Sequence, residues 1–231
     1  ETPISAFWKL RRDQWSFLLE SVEGGERWAR YTSMGTEPKR IYRSWGRRLE
    51  IEEQAGGTQV LELDDPLAYL AEIQAAKRLA PVADLPRFFG GMVGSIAYDA
   101  VRMMENIPRE TPERPEVPDL CFMEVDQVLV WDNFKHRAVL VVLADTSQGQ
   151  DTDLAFREAC QALDKAHQRL NAAMPELPRA PLTAPSMPTS SCSDEAFADL
   201  VERARQYIQD GDIIQVVLSR RFEVESTGLH P

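Results

Sequence analysis

The chain has 231 residues, 43% of them hydrophobic, which is enough to bury a core in one large domain or two small ones. Its 37 acidic and 26 basic side chains give a net charge of -11, which repels a polyanion on average and argues against nucleic-acid binding. No run approaches the ~18 consecutive apolar residues of a bilayer span, and residues 1–15 lack the basic-then-apolar order of a signal peptide.

The first third is expected to form short strands rich in aromatic and branched residues: Trp15 to Val22, Trp28 to Met34, Lys39 to Trp45, Arg47 to Glu52 and Thr58 to Leu63. Glu23-Gly24-Gly25-Glu26 and Gln54-Ala55-Gly56-Gly57 fit hairpin connections. Arg40, Arg43, Arg47 and Arg48, like Arg220 and Arg221 later, fit solvated faces with surface ion pairs. A helix is predicted from Asp65 as N-cap, with Pro66 at the first helical position, where its missing N–H costs nothing, and Leu67, Leu70 and Ala71 on its inner face.

Phe88 to Asp99 carries Gly90, Gly91 and Gly94 inside an apolar stretch. Such a segment fits either close backbone approach, as at a bulge, or tight packing of strand against helix. Neither a dinucleotide-binding glycine loop nor a P-loop is present. Pro108, Pro112, Pro115 and Pro118 mark a connection, after which Leu120 to Trp131 and Arg137 to Ala144 read as two strands joined through Asp132-Asn133-Phe134-Lys135. Asp151 to Leu170 has helical spacing, with Phe156, Leu163, Ala166 and Leu170 near one face and His167 beside it. The proline-rich stretch 174–193 reads as a linker.

Beyond it, Ser193 is a suitable N-cap, with Asp194 and Glu195 at the positive end of the helix dipole. Phe197, Leu200, Val201, Ala204, Tyr207 and Ile208 recur at helical spacing up to Gly211. Asp212 to Phe222 is then an almost continuous apolar run, expected as a strand buried on both faces. In a strand Gln215, Val217, Ser219 and Arg221 share one face. Gln215 and Ser219 there suggest a polar cavity, or a structural glutamine bonded to neighbouring backbone.

Cys121, Cys160 and Cys192 are scattered and odd in number, as are His136, His167 and His230. They show no zinc or disulfide spacing, and a reducing cytoplasm is the expected compartment.

Three collinear segments resemble one family. Leu18-Leu19-Glu20-Ser21, followed by Gly24 to Thr32, resembles the feedback-inhibitor element of anthranilate synthase large subunits (component I). Gly90 to Asp99 with Arg102 resembles their glycine-rich core segment. Tyr207 to Phe222 resembles the entry to their chorismate-binding domain. The resemblance implies an α+β fold of mostly antiparallel sheets in a sandwich-like arrangement covered by helices. It implies a regulatory domain over 1–173 with a tryptophan-binding element, a linker over 174–193, and the start of a catalytic domain over 194–231.

The implied reaction adds ammonia to chorismate with Mg2+ present and eliminates pyruvate to leave anthranilate. The ammonia comes from a glutamine amidotransferase partner, and L-tryptophan inhibits. Gln215 and Ser219 are implied to line the catalytic site. In relatives that add water, a lysine base stands where this chain has Gln215, and a neutral glutamine suits ammonia as nucleophile. Leu19, Glu20, Ser21 and Arg30 are implied to contact the inhibitor. Val217 and Ser219 favour this family over aminodeoxychorismate synthases. A non-catalytic tryptophan sensor is the alternative from another class. The Mg2+ ligands, the catalytic histidine and the carboxylate-binding arginine and lysine are expected outside this chain, which alone is expected to be inactive.

Overall fold

Thr2 opens the structure as an N-cap: its hydroxyl accepts from the backbone N–H of Ser5, and the Ser5 hydroxyl accepts in return from the N–H of Thr2. With Pro3 at the first helical position, this capping box starts α1 (Pro3–Leu10). The helix is not among the elements expected above. The structure, a computed structural model, describes residues 1–12, 14–20, 30–108, 117–146, 149, 151–176 and 187–224. The chain divides into two units, 1–175 and 176–231. Ser21, the Glu23 to Glu26 connection, Pro112, Pro115 and residues 177–186 of the expected linker lie outside the described residues.

In the first unit, β1 (Ser16–Glu20), β2 (Tyr31–Thr36), β8 (Gln127–Asp132) and β9 (Arg137–Val142) form one antiparallel sheet in the order β1-β2-β8-β9. A second antiparallel sheet has the order β5-β4-β3-β7-β6. It is built from β3 (Arg40–Trp45), β4 (Arg48–Glu53), β5 (Thr58–Glu62), β6 (Gly91–Ile96) and β7 (Leu120–Val125). The expected single strand from Leu120 to Trp131 is therefore two strands in different sheets, divided at Asp126. The chain passes between the sheets a second time, from β2 to β3, through Glu37, Pro38 and Lys39.

Alternation along the strands sorts their side chains into layers. Phe17, Val128 and Val130 of the first sheet meet Val93, Met123 and Val125 of the second, forming the seam of a sandwich. On the outer side of the first sheet, Met34 and Leu129 pack with Ala6 and Leu10 of α1 and Ala166 of α3 (Thr152–Asn171). Lys9 Nζ ties these two helices by donating to the Leu170 carbonyl at 2.9 Å. On the outer side of the second sheet, Tyr42, Leu49 and Leu120 pack with Leu70 of α2 (Pro66–Ala76) and with Ala100 of the short 3-10 helix Tyr98–Met103. The fold is thus α+β, with helices covering an antiparallel sandwich.

Asp65 caps α2 as expected, accepting from Ala68 N–H at 2.9 Å, but Ala71 is exposed, and Ile73 joins Leu67 and Leu70 instead. Phe156 of α3 is likewise exposed; its neighbour Ala155 takes the inner position, because a small residue lets the helix approach the sheet closely.

The second unit contains α4 (Asp194–Asp210), capped by Ser193, which accepts from Ala196 N–H at 3.2 Å. Gly211, in the left-handed conformation at φ 81°, ends it. The two-residue strands β10 (Thr189–Ser190) and β11 (Phe222–Glu223) pair with each other. The expected buried strand from Asp212 to Phe222 is not formed: the backbone is irregular up to Arg221, and Ile214 is 97% exposed. A strand needs neighbours for its N–H and C=O groups, and among the described residues this unit offers only Thr189 and Ser190.

Of the two readings of the glycine segment, the structure supports close backbone approach. A Cβ on Gly94 would stand 1.9 Å from the Cys121 carbonyl oxygen and 2.7 Å from Phe122 Cα, both main-chain atoms of the paired strand β7. Gly94→Ala is therefore expected to destabilise the first unit by about 1–3 kcal/mol, as overpacking does elsewhere. All five tryptophans lie within residues 1–175, so urea unfolding followed by tryptophan fluorescence checks it.

Candidate functional site

The described part of the expected inhibitor element is the end of an edge strand. Leu19 pairs with Ser33, and Glu20, the last residue of β1, pairs with Thr32 of β2. Leu19 and Glu20 are exposed, whereas their partners Ser33 and Thr32 on the neighbouring strand are buried.

Arg30, two residues before Thr32, is held by Asp132. Its Nε donates to Oδ1 at 3.1 Å and its Nη2 to Oδ2 at 2.7 Å, a bidentate pair. The guanidinium also lies 4.9 Å from the Tyr31 ring centroid and 5.8 Å from that of Phe134. Asp132 is buried, its side chain 4% exposed. Its Oδ1 further accepts from the backbone N–H groups of Phe134 at 3.2 Å and Lys135 at 3.0 Å, closing the turn between β8 and β9. The next residue completes the attachment: Asn133 N–H donates to the Arg30 carbonyl at 2.8 Å, and its Nδ2 to Thr32 Oγ1 at 3.3 Å. The Arg30 hydrogen bond, opposed by burial and aided by the Lys135 and Phe134 N–H groups and the Arg30 charge, holds the Asp132 carboxyl at about 2.

The structure thus places Leu19, Glu20 and Arg30 at one end of the first sheet, with Ser21 outside the described residues. Gln215 and Ser219 belong to the second unit, where both lie on exposed, irregular backbone, with no cavity around Gln215 among the described residues of that unit. Asp132 and Asn133 stood out in the sequence only as a hairpin connection. A turn-forming Asp-Asn pair at a strand end was the available signal, but it does not identify a partner 102 residues away.

Other charges are mostly occupied with one another. The clustered arginines form ion pairs: Arg40 with Glu53, Arg43 with Glu52, Arg47 with Asp64, Arg48 with Glu50, Arg220 with Asp194 and Arg221 with Glu223. A groove of about 530 Å³ beside α3 is lined by Glu37, Lys39, Asp126, Asp145 and Arg169, among others. Two pairs cross it, Lys39 with Asp145 and Arg169 with Glu37, and burial pushes the Asp126 carboxyl up. Among the described residues, no three His, Cys, Asp or Glu side chains converge as metal donors. Nor, among them, is any helix long and apolar enough to cross a membrane.

Residues 23–231 match the family model described as chorismate binding enzyme. The chain belongs to that family. It is 35% identical over 232 residues to anthranilate synthase component 1 of Acetivibrio thermocellus, covering 98% of this chain and 46% of that relative. With the protein of the same name from Thermus thermophilus it shares 37% identity over 233 residues, again covering 46% of the relative. The crystal structure of anthranilate synthase component I from Streptococcus pneumoniae superposes with a TM-score of 0.66 at 26% identity, over 99% of this chain and 48% of that one. The chain therefore spans about half the length of the relatives it matches.

The depressed Asp132 value sets a pH dependence. Because the folded carboxyl lies near 2 against an ordinary 3.8, its stabilising contribution is complete above about pH 4 and is lost as the pH falls toward 2. Urea midpoints followed by tryptophan fluorescence should fall over that interval more steeply for the wild type than for Asp132→Asn, whose amide does not titrate. Equal slopes would contradict the assignment.

Proposed function

We propose that this chain is the N-terminal part of an anthranilate synthase large subunit. The complete enzyme converts chorismate and ammonia to anthranilate and pyruvate, a carbon–oxygen lyase reaction in cytoplasmic tryptophan biosynthesis, with L-tryptophan as feedback inhibitor. The observation that carries this reading is similarity along nearly the whole chain to proteins named anthranilate synthase component 1, at 33–37% identity, within a chorismate binding family. The word component in that name agrees with a second subunit, which we assign to glutamine amidotransfer. Residues 1–173 form the regulatory domain and 194–231 the start of the catalytic domain.

In this reading Gln215 and Ser219 line the site where ammonia attacks chorismate. A neutral glutamine orients ammonia by hydrogen bonds without generating hydroxide from water. Leu19, Glu20, Ser21 and Arg30 belong to the tryptophan site. The Glu20 carboxylate is free to meet an ammonium group at an exposed strand end, and inhibition requires that tryptophan bind the inactive arrangement better than the active one. Mg2+ serves the complete enzyme through donors outside this chain.

The test is anthranilate fluorescence on mixing chorismate, ammonium and Mg2+ with the chain alone and with the chain extended to the length of its relatives. The extended protein is expected to form anthranilate, and the chain alone none. Formation of the para-amino isomer's precursor in place of anthranilate would transfer the assignment to aminodeoxychorismate synthase. Tryptophan binding with no turnover by the extended protein would make the chain a sensor.

A further inference from the structure

We propose that Asp132, together with Asn133, is a positioning element of the tryptophan site, through which Arg30 acts indirectly. The inference rests on the regulatory reading of Glu20 given above. Among the described residues β1 is an edge strand bonded to β2, so the beginning of β2 sets the place of Glu20. The beginning of β2 is fastened to the β8–β9 turn at three successive points. These are the bidentate Arg30–Asp132 pair, the Arg30 carbonyl on Asn133 N–H, and Thr32 Oγ1 under the Asn133 amide. The last of these is the residue that Glu20 faces across the ladder.

Asp132 joins the turn to the strand start. The same carboxylate closes its own turn and grips Arg30, so loosening it releases the turn and the strand start together. Two of the three guanidinium nitrogens of Arg30 are committed to Asp132, and its guanidinium carbon lies over the rings of Tyr31 and Phe134. That geometry suits a side chain that fixes backbone rather than one that reaches for a ligand. A fork held on a buried carboxylate loses little further entropy on folding, which is why a bidentate arginine pair makes a rigid anchor.

The experiment uses the complete enzyme carrying this chain and measures the tryptophan concentration for half-inhibition of anthranilate formation, each variant normalised to its own uninhibited rate. Glu20→Gln reports on the inhibitor site itself. Asp132→Asn is expected to raise the half-inhibition concentration at least about fivefold, the lower end of ordinary allosteric coupling. Arg30→Gln should do the same, and the double variant should be no weaker than the worse single one, because both remove one interaction. Leu70→Ala, a core change in α2 where it packs on the other sheet, should weaken folding without moving half-inhibition; it separates positioning from general loss of stability. Unchanged inhibition in Asp132→Asn, with Glu20→Gln impaired, overturns the inference and leaves the proposed function standing. Additive effects in the double variant overturn it too, since Arg30 would then contact tryptophan independently. A wild-type enzyme that forms no anthranilate, or ignores tryptophan, overturns the functional reading and this inference with it.

Discussion

The two sheets of the first unit are not separate objects, because two segments of backbone run through both, and a single buried carboxylate stands where they cross. Glu124, one residue before the end of β7, is hydrogen-bonded by the Tyr42 hydroxyl at 2.7 Å and Lys77 Nζ at 2.6 Å, with Arg40 Nη1 at 3.4 Å. Arg40 is its register partner at the start of β3, just past the other crossing. Burial alone would raise the Glu124 pKa; the bonds from Lys77 and Tyr42 and the charges of Lys77 and Arg40 outweigh it and leave the value lowered. Tyr42 is shifted the opposite way, by burial and then by Glu124, so it stays protonated and keeps donating. Removing one member of a buried pair generally costs about 3–5 kcal/mol; the partial exposure of Arg40 and Lys77 places this one toward the lower end.

From that junction the rest of the architecture is constrained. Once β7 continues as β8 and β2 as β3, the first sheet must lie over the second, and its far face must be covered by α1 and α3. The candidate inhibitor element then occupies the rim of the first sheet, where an edge strand ends and a tight turn closes beside it. Carboxylates of similar chemistry serve different ends in the two places. Glu124 is enclosed and joins sheets, whereas Glu20 is exposed and available. Such a division, a fixed interior charge in one sheet and an exposed rim charge in the other, is what a ligand-responsive surface on a stiff scaffold requires.

Local chemistry was the legible part of the fold. Asp65-Pro66 and Ser193 announced helix starts, and Gly211 announced a helix end, because caps depend on residues three or four apart. Strand positions in the first third were readable for the same reason. The helix at Pro3–Leu10 went unread although its capping box was present, since eight residues hold too few periods to stand out. The division of the Leu120 to Asp132 run at Asp126 was hidden because a strand that changes sheets keeps its alternation. Phe156 misled because its size suggested the core, while the close approach of α3 is made by alanines. For the site, family resemblance supplied Glu20 and Arg30, but the Asp132 partnership spans 102 positions and has no local signature. The strand expected from Asp212 failed for a related reason: apolar content says a segment wants covering, not that the cover is at hand.

That uncovered segment has a consequence for the life of the polypeptide before folding is complete. Ile213 to Leu218 is six residues without charge, proline or glycine, mostly β-branched, largely exposed and outside any strand. Such a window is a template onto which the same window of another copy can stack, strand upon strand. On emerging from the ribosome it is exposed in every nascent copy, and crowding on one messenger brings copies close. The flanks oppose this: Asp210 and Asp212 precede the window, and Arg220 and Arg221 follow it. In-register stacking would pile like charges at both ends, which opposes amyloid-like association.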